Sequence, residues 1–213
     1  MVGIIFATRR EAEPFLARAA ALTLADRPLV LFHGTSAHSR PWIAAISGMG
    51  KVAAAMAATQ LVLVHRVSTL ISAGLCGRLT RDRHWAVADL LRISAAVEGD
   101  RGRVGAEAPP SACDPRWFQH LEPARLVTCD RPVFKADYRD RMARSGELVD
   151  MEGAAVARVA DRYGVGWAMI KGISDDADET GRRDLARNIV RVSMGIADAL
   201  VHELSRNPMD EPP

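Results

Sequence analysis

In the segment Val149-Asp150-Met151-Glu152-Gly153-Ala154-Ala155-Val156-Ala157, Glu152 stands where an apolar run opens into a small-residue helix. A second acid, Asp175, lies at the far end of the next apolar run, in Ile170-Lys171-Gly172-Ile173-Ser174-Asp175. No amphipathic pattern accounts for a carboxylate at either place, so both are read as facing a ligand. Two acids brought together across a sheet can divide the work of gripping a sugar hydroxyl and protonating a leaving group. Cleavage of an N-glycosidic bond builds negative charge on the departing base, and an Asp desolvated enough to hold a proton near neutral pH can neutralise it. Each acid also has an ordinary reading. Asp175, beside Asp176 and Asp178, would serve as a loop acid or helix N-cap. Glu152 would serve as a first-turn acid favoured by the helix dipole. The small residues after Glu152 argue for more than that, because they let another group approach.

These acids need a frame. Val2–Ala7 reads as a buried strand and Arg9–Leu22 as a helix with Phe15, Leu16 and Ala19 inward. Strands follow at Pro28–His33 and Trp42–Ser47, around a polar turn at Gly34–Arg40. Ser47-Gly48-Met49-Gly50 is a turn into an alanine-rich helix, Lys51–His65. Ser68–Ala73 is a strand ending at Gly74, Val87–Val97 a further one, and Glu98–Pro115 a surface loop or lid. Trp117–Leu121 reads as a short helix, Leu126–Cys129 as a strand, Val149–Met151 as a strand edge and Gly153–Tyr163 as a helix. Trp167–Ile173 is a buried strand, and Asp184–Leu204 an amphipathic helix with Ile189, Val192, Ile196, Leu200 and Val201 on one stripe. Alternating strands and helices predict an α/β fold: a single-domain, three-layer αβα sandwich over 1–204 with a mixed, largely parallel central sheet, and a flexible tail at 205–213.

A chain of 213 residues fits one such domain. Its 28 basic and 26 acidic residues nearly balance, which gives no clustered basic face for a nucleic acid. Arg78, Arg81, Arg83, Arg101 and Arg103 are interrupted by Asp82 and Asp100 and read as solvated loops. Cys76, Cys113 and Cys129 have neither disulfide-framework nor zinc spacing. No apolar window is long enough for a membrane span, and the first residues run straight into a strand without a leader. A cytoplasmic protein with reduced thiols is expected. No His/Cys ligand cluster is evident; His33, His38, His65 and His84 are scattered, so no metal is expected.

Four motifs in order resemble the nucleoside phosphorylase/nucleosidase superfamily, with the nearest likeness to 5′-methylthioadenosine/S-adenosylhomocysteine nucleosidases. They are Gly3-Ile4-Ile5 with Glu11, Ser47-Gly48-Met49-Gly50-Lys51-Val52-Ala53-Ala54-Ala55, Ser72-Ala73-Gly74 with Gly77, and the Met151-Glu152/Ile173-Ser174-Asp175 pair. The resemblance implies that Asp175, within Ser174-Asp175, hydrogen-bonds the purine at N7 and the exocyclic amine and protonates the leaving base. It implies that Glu152 accepts the ribose 2′- and 3′-hydroxyls while Met151 packs on the sugar, and that Glu11 activates the attacking water. Glu13, two residues on, competes for that last role. Met49 would contact the sugar or the 5′ substituent, or the turn is simply tight. Val133 falls in the segment whose backbone reads the purine edge, or is an ordinary core or loop residue. No organic cofactor is needed, since a proton activates the leaving group. The family tends to form homodimers with sites near the interface.

The chain also departs from the family pattern. Gly74 is followed by the apolar Leu75 where a small polar residue is usual, and Lys171 stands where nucleosidases often carry Arg; an exposed surface position would account for it equally well. The glycine turn runs on to Lys51-Val52 and not to the Pro-Ser of phosphorylases, which favours water over phosphate as nucleophile. With 5% aromatic residues, the groups to sandwich adenine are few; Phe134, Trp85 and Trp117 are candidates. The expected activity is hydrolysis of an adenine-type nucleoside modified at its 5′ position. A phosphorylase on the same fold, or a nucleoside-binding protein without turnover for which Leu75 speaks, are the alternatives.

Overall fold

Along strand β1 (Val2–Phe6), Val2, Ile4 and Phe6 enter one apolar cluster and Ile5 the other, the two-residue alternation of a strand covered on both faces. The structure, a computed structural model, describes residues 1–37, 39–101 and 111–206. Expectations for His38, for 102–110 of the loop and for 207–213 of the tail lie outside the described residues.

After β1 come helix α1 (Arg9–Arg18), strands β2 (Leu22–Ala25), β3 (Val30–Thr35) and β4 (Pro41–Ile46), helix α2 (Lys51–Leu63), and strands β5 (Thr69–Arg78), β6 (Leu90–Glu98), β7 (Ser111–Ala112) and β8 (Pro123–Thr128). Helix α3 (Ala136–Met142), strand β9 (Leu148–Asp150), helix α4 (Gly153–Tyr163), strand β10 (Gly166–Asp175) and helix α5 (Gly181–Leu204) complete the described chain. The mixed sheet runs β10-β6-β8-β9-β5-β1-β4-β3-β2, with β7 beside β6. The pairings β1–β4, β1–β5, β5–β10, β6–β8 and β8–β9 are parallel. Helices α2 and α4 cover one face and α1 and α5 the other. The fold is the expected α/β sandwich. No helix among the described residues is long and apolar enough to cross a membrane.

One feature of the sheet makes room for a site. Strand β10 lies along one edge of β5 from Thr69 to Gly77. On the other edge, Thr69–Ser72 pairs with β1 and Gly77–Arg78 with β9. Between them, Ala73–Cys76 has no strand partner on that edge among the described residues. Backbone groups left there must bond something else.

Several local expectations are corrected. Strand β5 does not end at Gly74 but runs on to Arg78. Helix α1 stops at Arg18, because Ala20 turns the chain at φ +46°, and Leu22 opens an exposed edge strand. Trp117–Leu121 is a turn, not a helix, with Phe118 at φ +56° and its ring wholly buried. Helix α3 was not anticipated, since none of its residues is fully buried and its inward face is no more than Tyr138 and Met142, packed partly buried on the core. Helix α5 begins three residues earlier than expected, at Gly181.

Candidate active site

The unpaired stretch of β5 meets the first turn of α1. Thr8, in extended backbone, caps that helix and forms a reciprocal capping box with Glu11. Glu11 Oε2 accepts from the Thr8 backbone N–H (2.8 Å) and from Thr8 Oγ1 (2.7 Å), while Glu11 Oε1 accepts from the Leu75 N–H (3.2 Å). The Leu75 donor belongs to the edge that β1 has left. A Cβ on Gly74 would come within 3.0 Å of Glu11 Oε1, so glycine there lets the carboxylate reach the strand. Glu11 is thus a helix-capping acid and a cavity-lining acid at once. Glu13, the competing residue, is exposed on α1.

Glu152 opens α4, buried at 8% exposure, and its Oε1 accepts from the Gly50 N–H at 2.8 Å. Gly50 and Gly48 both have positive φ, +94° and +87°, so the turn between β4 and α2 depends on glycine. The first two donors of α2 are held by the protein's own acids, Gly50 N–H by Glu152 and Lys51 N–H by Asp130.

Asp175 ends β10, buried at 3% exposure. Its Oδ1 accepts from the Ala177 N–H (2.9 Å) and its Oδ2 from Ser174 Oγ (2.6 Å). A Cβ at Gly77 or Gly181 would approach Asp175 Oδ1 within 3.1 or 3.0 Å.

Beneath these acids lies a buried ion pair that sequence reading missed. Lys171 Nζ sits 2.8 Å from Asp150 Oδ2 and 3.2 Å from Ser72 Oγ, and both charged side chains are almost wholly buried. The surface reading of Lys171 is therefore wrong. A charged residue in the middle of an otherwise apolar strand was the available signal. Asp150 also accepts from Thr128 Oγ1 and from the Gly153 N–H, which begins α4. Burial alone would pull the Lys171 ammonium down, but Asp150, Glu152 and Glu11 together hold it above its ordinary value. Burial, reinforced by the Asp150 charge, pushes Glu152 up to about 7 against the pull of Lys171. Burial likewise raises Asp175 to about 6, although Ser174 and Ala177 bond its ionised form. Burial also pushes the Cys76 thiol up, which disfavours the thiolate form of this cavity-wall sulfur.

Glu11, Met49, Val133, Met151, Glu152, Ser174 and Asp175 all line one cavity of about 140 Å³. Gly74 does not line it and stands behind Glu11. Leu75 does line it, together with Phe134, Leu185 and Ile189, which form apolar walls. Of the three aromatic candidates only Phe134 reaches the cavity. Trp85 is in the core, and Trp117 packs on Phe118 and under Arg40. The cavity opens at the carboxyl ends of β1, β5, β9 and β10, the usual place for a ligand on an α/β sheet.

The chain is 27% identical over 206 residues to an aminodeoxyfutalosine nucleosidase of Helicobacter pylori strain J99, covering 84% of this chain and 86% of that protein. Among solved structures, an S-adenosylhomocysteine nucleosidase from Streptococcus pyogenes superposes with a TM-score of 0.89 at 23% identity over 97% of both chains. A futalosine hydrolase mutant of Helicobacter pylori strain 26695 gives 0.85 at 22%, over 95% of this chain and 97% of that one. At these identities the superpositions show a shared fold. The family model of the phosphorylase superfamily matches residues 1–206, nearly the whole sequence, and the chain belongs to that superfamily.

Proposed function

We propose that this protein is a purine nucleosidase that hydrolyses the N-glycosidic bond of an adenine-type nucleoside carrying a modified 5′ position. The observation that carries the reading is the convergence of Glu11, Glu152 and Asp175, from three distant stretches of chain, on one cavity. Glu11 takes a proton from water, whose oxygen attacks the anomeric carbon. The bond from that carbon to the base breaks, and its electron pair leaves with the purine. Asp175, raised to about 6, delivers a proton to N7 and keeps the departing base neutral. Glu152 accepts the ribose hydroxyls, and its charge favours the cationic character developing at the sugar. Met151 packs on the sugar, Val133 borders the base, and Met49 meets the sugar or its 5′ substituent. The names of the relatives, which act on methylthioadenosine, S-adenosylhomocysteine or futalosine-type compounds, support a 5′-modified adenine nucleoside.

Water is the favoured nucleophile. Among the described residues lining the cavity there is no arginine or lysine to pair a phosphate dianion. We read the active form as a homodimer. Support comes from α2, where Val52, Met56 and Leu63 are exposed in a stripe continuing from Met49 at the cavity. The three unpaired cysteines suit a reducing, cytoplasmic setting.

The test is incubation with adenosine, methylthioadenosine and S-adenosylhomocysteine, with and without phosphate, following free base and sugar product by chromatography. Adenine release independent of phosphate is expected. Strict phosphate dependence with a sugar phosphate product would make the protein a phosphorylase, and tight binding without base release would make it a binding protein.

A further inference from the structure

At the opposite end of α5 from the cavity, His120 from the 117–121 turn meets His202 and Glu203. The two imidazoles lie edge to face with ring centroids 5.3 Å apart. The ligand atoms of all three residues fall within 4.8 Å of one another. Glu203 is the unusual member. Its side chain is only 4% exposed, its Oε1 accepts from Arg206 Nη1 at 2.9 Å, and its buried Oε2 has no hydrogen-bond partner. His120 Nδ1 is 4.0 Å from that oxygen, too far for a hydrogen bond. A buried carboxylate oxygen left unpaired is costly unless something occupies it.

We propose that His120, His202 and Glu203 form a binding site for a divalent transition-metal ion of the Zn²⁺ or Ni²⁺ class. Two imidazoles and one carboxylate are the donor set such ions favour, whereas Mg²⁺ and Ca²⁺ prefer oxygen throughout. Metal–ligand bonds near 2.1 Å place tetrahedral donors about 3.4 Å apart. Both imidazoles are exposed, so a change of side-chain rotamer would bring them through the remaining distance onto the buried Glu203 oxygen. A fourth position is left for water. Arg206, bonded to the other oxygen, orients the carboxylate. The expectation of scattered histidines missed this group because residues 120 and 202 come together only in the fold.

Ile189 lines the cavity, and fourteen helical residues at 1.5 Å each separate it from Glu203, about 21 Å. The ion takes no part in cleaving the substrate. It clips the turn, whose Phe118 is wholly buried, to the end of α5, and it binds the folded state alone.

The experiment uses the full-length protein without a histidine tag, freed of metal by a chelator, titrated calorimetrically with ZnCl₂, NiCl₂ and MgCl₂ and melted with each. One equivalent of Zn²⁺ or Ni²⁺ should bind and raise the melting midpoint, while Mg²⁺ does neither. His120→Ala and His202→Ala, both at exposed positions, should each weaken binding at least tenfold and cancel the shift. Base release by the metal-free protein should be unchanged in both variants. Absence of Zn²⁺ and Ni²⁺ binding, or one-equivalent binding that survives in the double variant, would overturn the site.

Discussion

The Gly50 N–H donates to Glu152 Oε1 at 2.8 Å, joining residues 102 positions apart. The turn that presents Met49 to the cavity is therefore the turn that aims the acid proposed to hold the ribose. That turn is fastened in its own right. Lys51 donates its N–H to Asp130 Oδ1 and pairs through Nζ with Asp100, and Asp100 Oδ2 accepts from the Asp130 N–H. Burial opposes the charge on Lys51, yet its hydrogen bond to Asp100 and the surrounding acids hold it above the ordinary lysine value.

Gly50→Ala should disrupt this joint. At φ +94°, ψ 162° the backbone is in a region open to glycine almost alone, and a side chain there costs about 1–3 kcal/mol. The turn would relieve the strain by moving its N–H off Glu152. Urea denaturation should show the stability loss. Steady-state kinetics should show kcat/KM for a nucleoside falling by roughly ten-fold or more, as for a lost hydrogen bond to a charged group.

The two raised carboxyls set a pH profile. On the proposed mechanism turnover needs Asp175 protonated and Glu152 ionised, and burial brings these groups to about 6 and about 7. The expected kcat/KM profile is a bell with its maximum between those values. Asp175→Asn should reduce kcat by about 10²–10⁴-fold, the usual worth of a general acid, and should remove one limb. A wild-type rate in that variant would eliminate Asp175 as proton donor.

Stability of the ligand-free protein carries the mark of Glu152 as well. Its folded value of about 7 lies above its ordinary 4.5, so between those pH values the folded state holds a proton that the unfolded state has released. Stability is then fully present below pH 4.5 and falls as pH rises toward 7, by at most about 3 kcal/mol. Glu152→Gln should flatten that decline. Asp100 and Glu147, held below their ordinary values, act in the opposite sense at lower pH, so the difference between variant and wild type isolates Glu152. A decline as steep in the variant would contradict the assignment.

Much of this site was legible because its acids interrupt strong local patterns. Glu152 precedes a helix that begins at Gly153, as expected, and Asp175 is the last residue of β10. What stayed hidden depends on contacts between distant strands. Asp150 reads as one more acid near a strand end until Lys171, 21 residues on, is found against it. Lys171 could be taken for a surface residue because a single lysine does not reveal which face of its strand is covered. The continuation of β5 past Gly74 follows from pairing with β10 and β9, which no window of sequence encodes. Helix α3 turns only Tyr138 and Met142 partly inward, too short a stripe for periodicity to report.

Lys171→Met tests the buried pair. Methionine fills most of the volume but removes the charge, leaving Asp150 buried with Glu152 and Glu11 nearby. Breaking a buried pair on one side costs about 3–5 kcal/mol. The loss should appear in urea unfolding at pH 7. It should shrink at lower pH, where the abandoned carboxylates take up protons. Loss of the lysine also removes the attraction that restrains Glu152, so its pKa should move further up and the limb of the kcat/KM profile with it.

Thr8→Val separates the two tasks of Glu11. The substitution keeps the shape of the side chain and deletes the hydroxyl that donates to Glu11 Oε2 and accepts from the Glu11 N–H. Loss of a helix cap costs about 1 kcal/mol, which a thermal melt would register as a fall in midpoint. If Glu11 only caps α1, nucleoside turnover at saturation should follow that small change and no more. If Glu11 also activates water, its carboxylate loses the one side-chain donor that holds it and is left to the backbone N–H groups of residue 8 and Leu75. In that case kcat should fall by ten-fold or more with KM nearly constant, the signature of an interaction made in the transition state. An unchanged kcat beside a lowered melting midpoint would confine the Thr8 hydroxyl to the cap. Glu11→Gln, which removes the base and keeps the acceptor for both backbone N–H groups, would then decide: a wild-type kcat in that variant leaves the attacking water without its base.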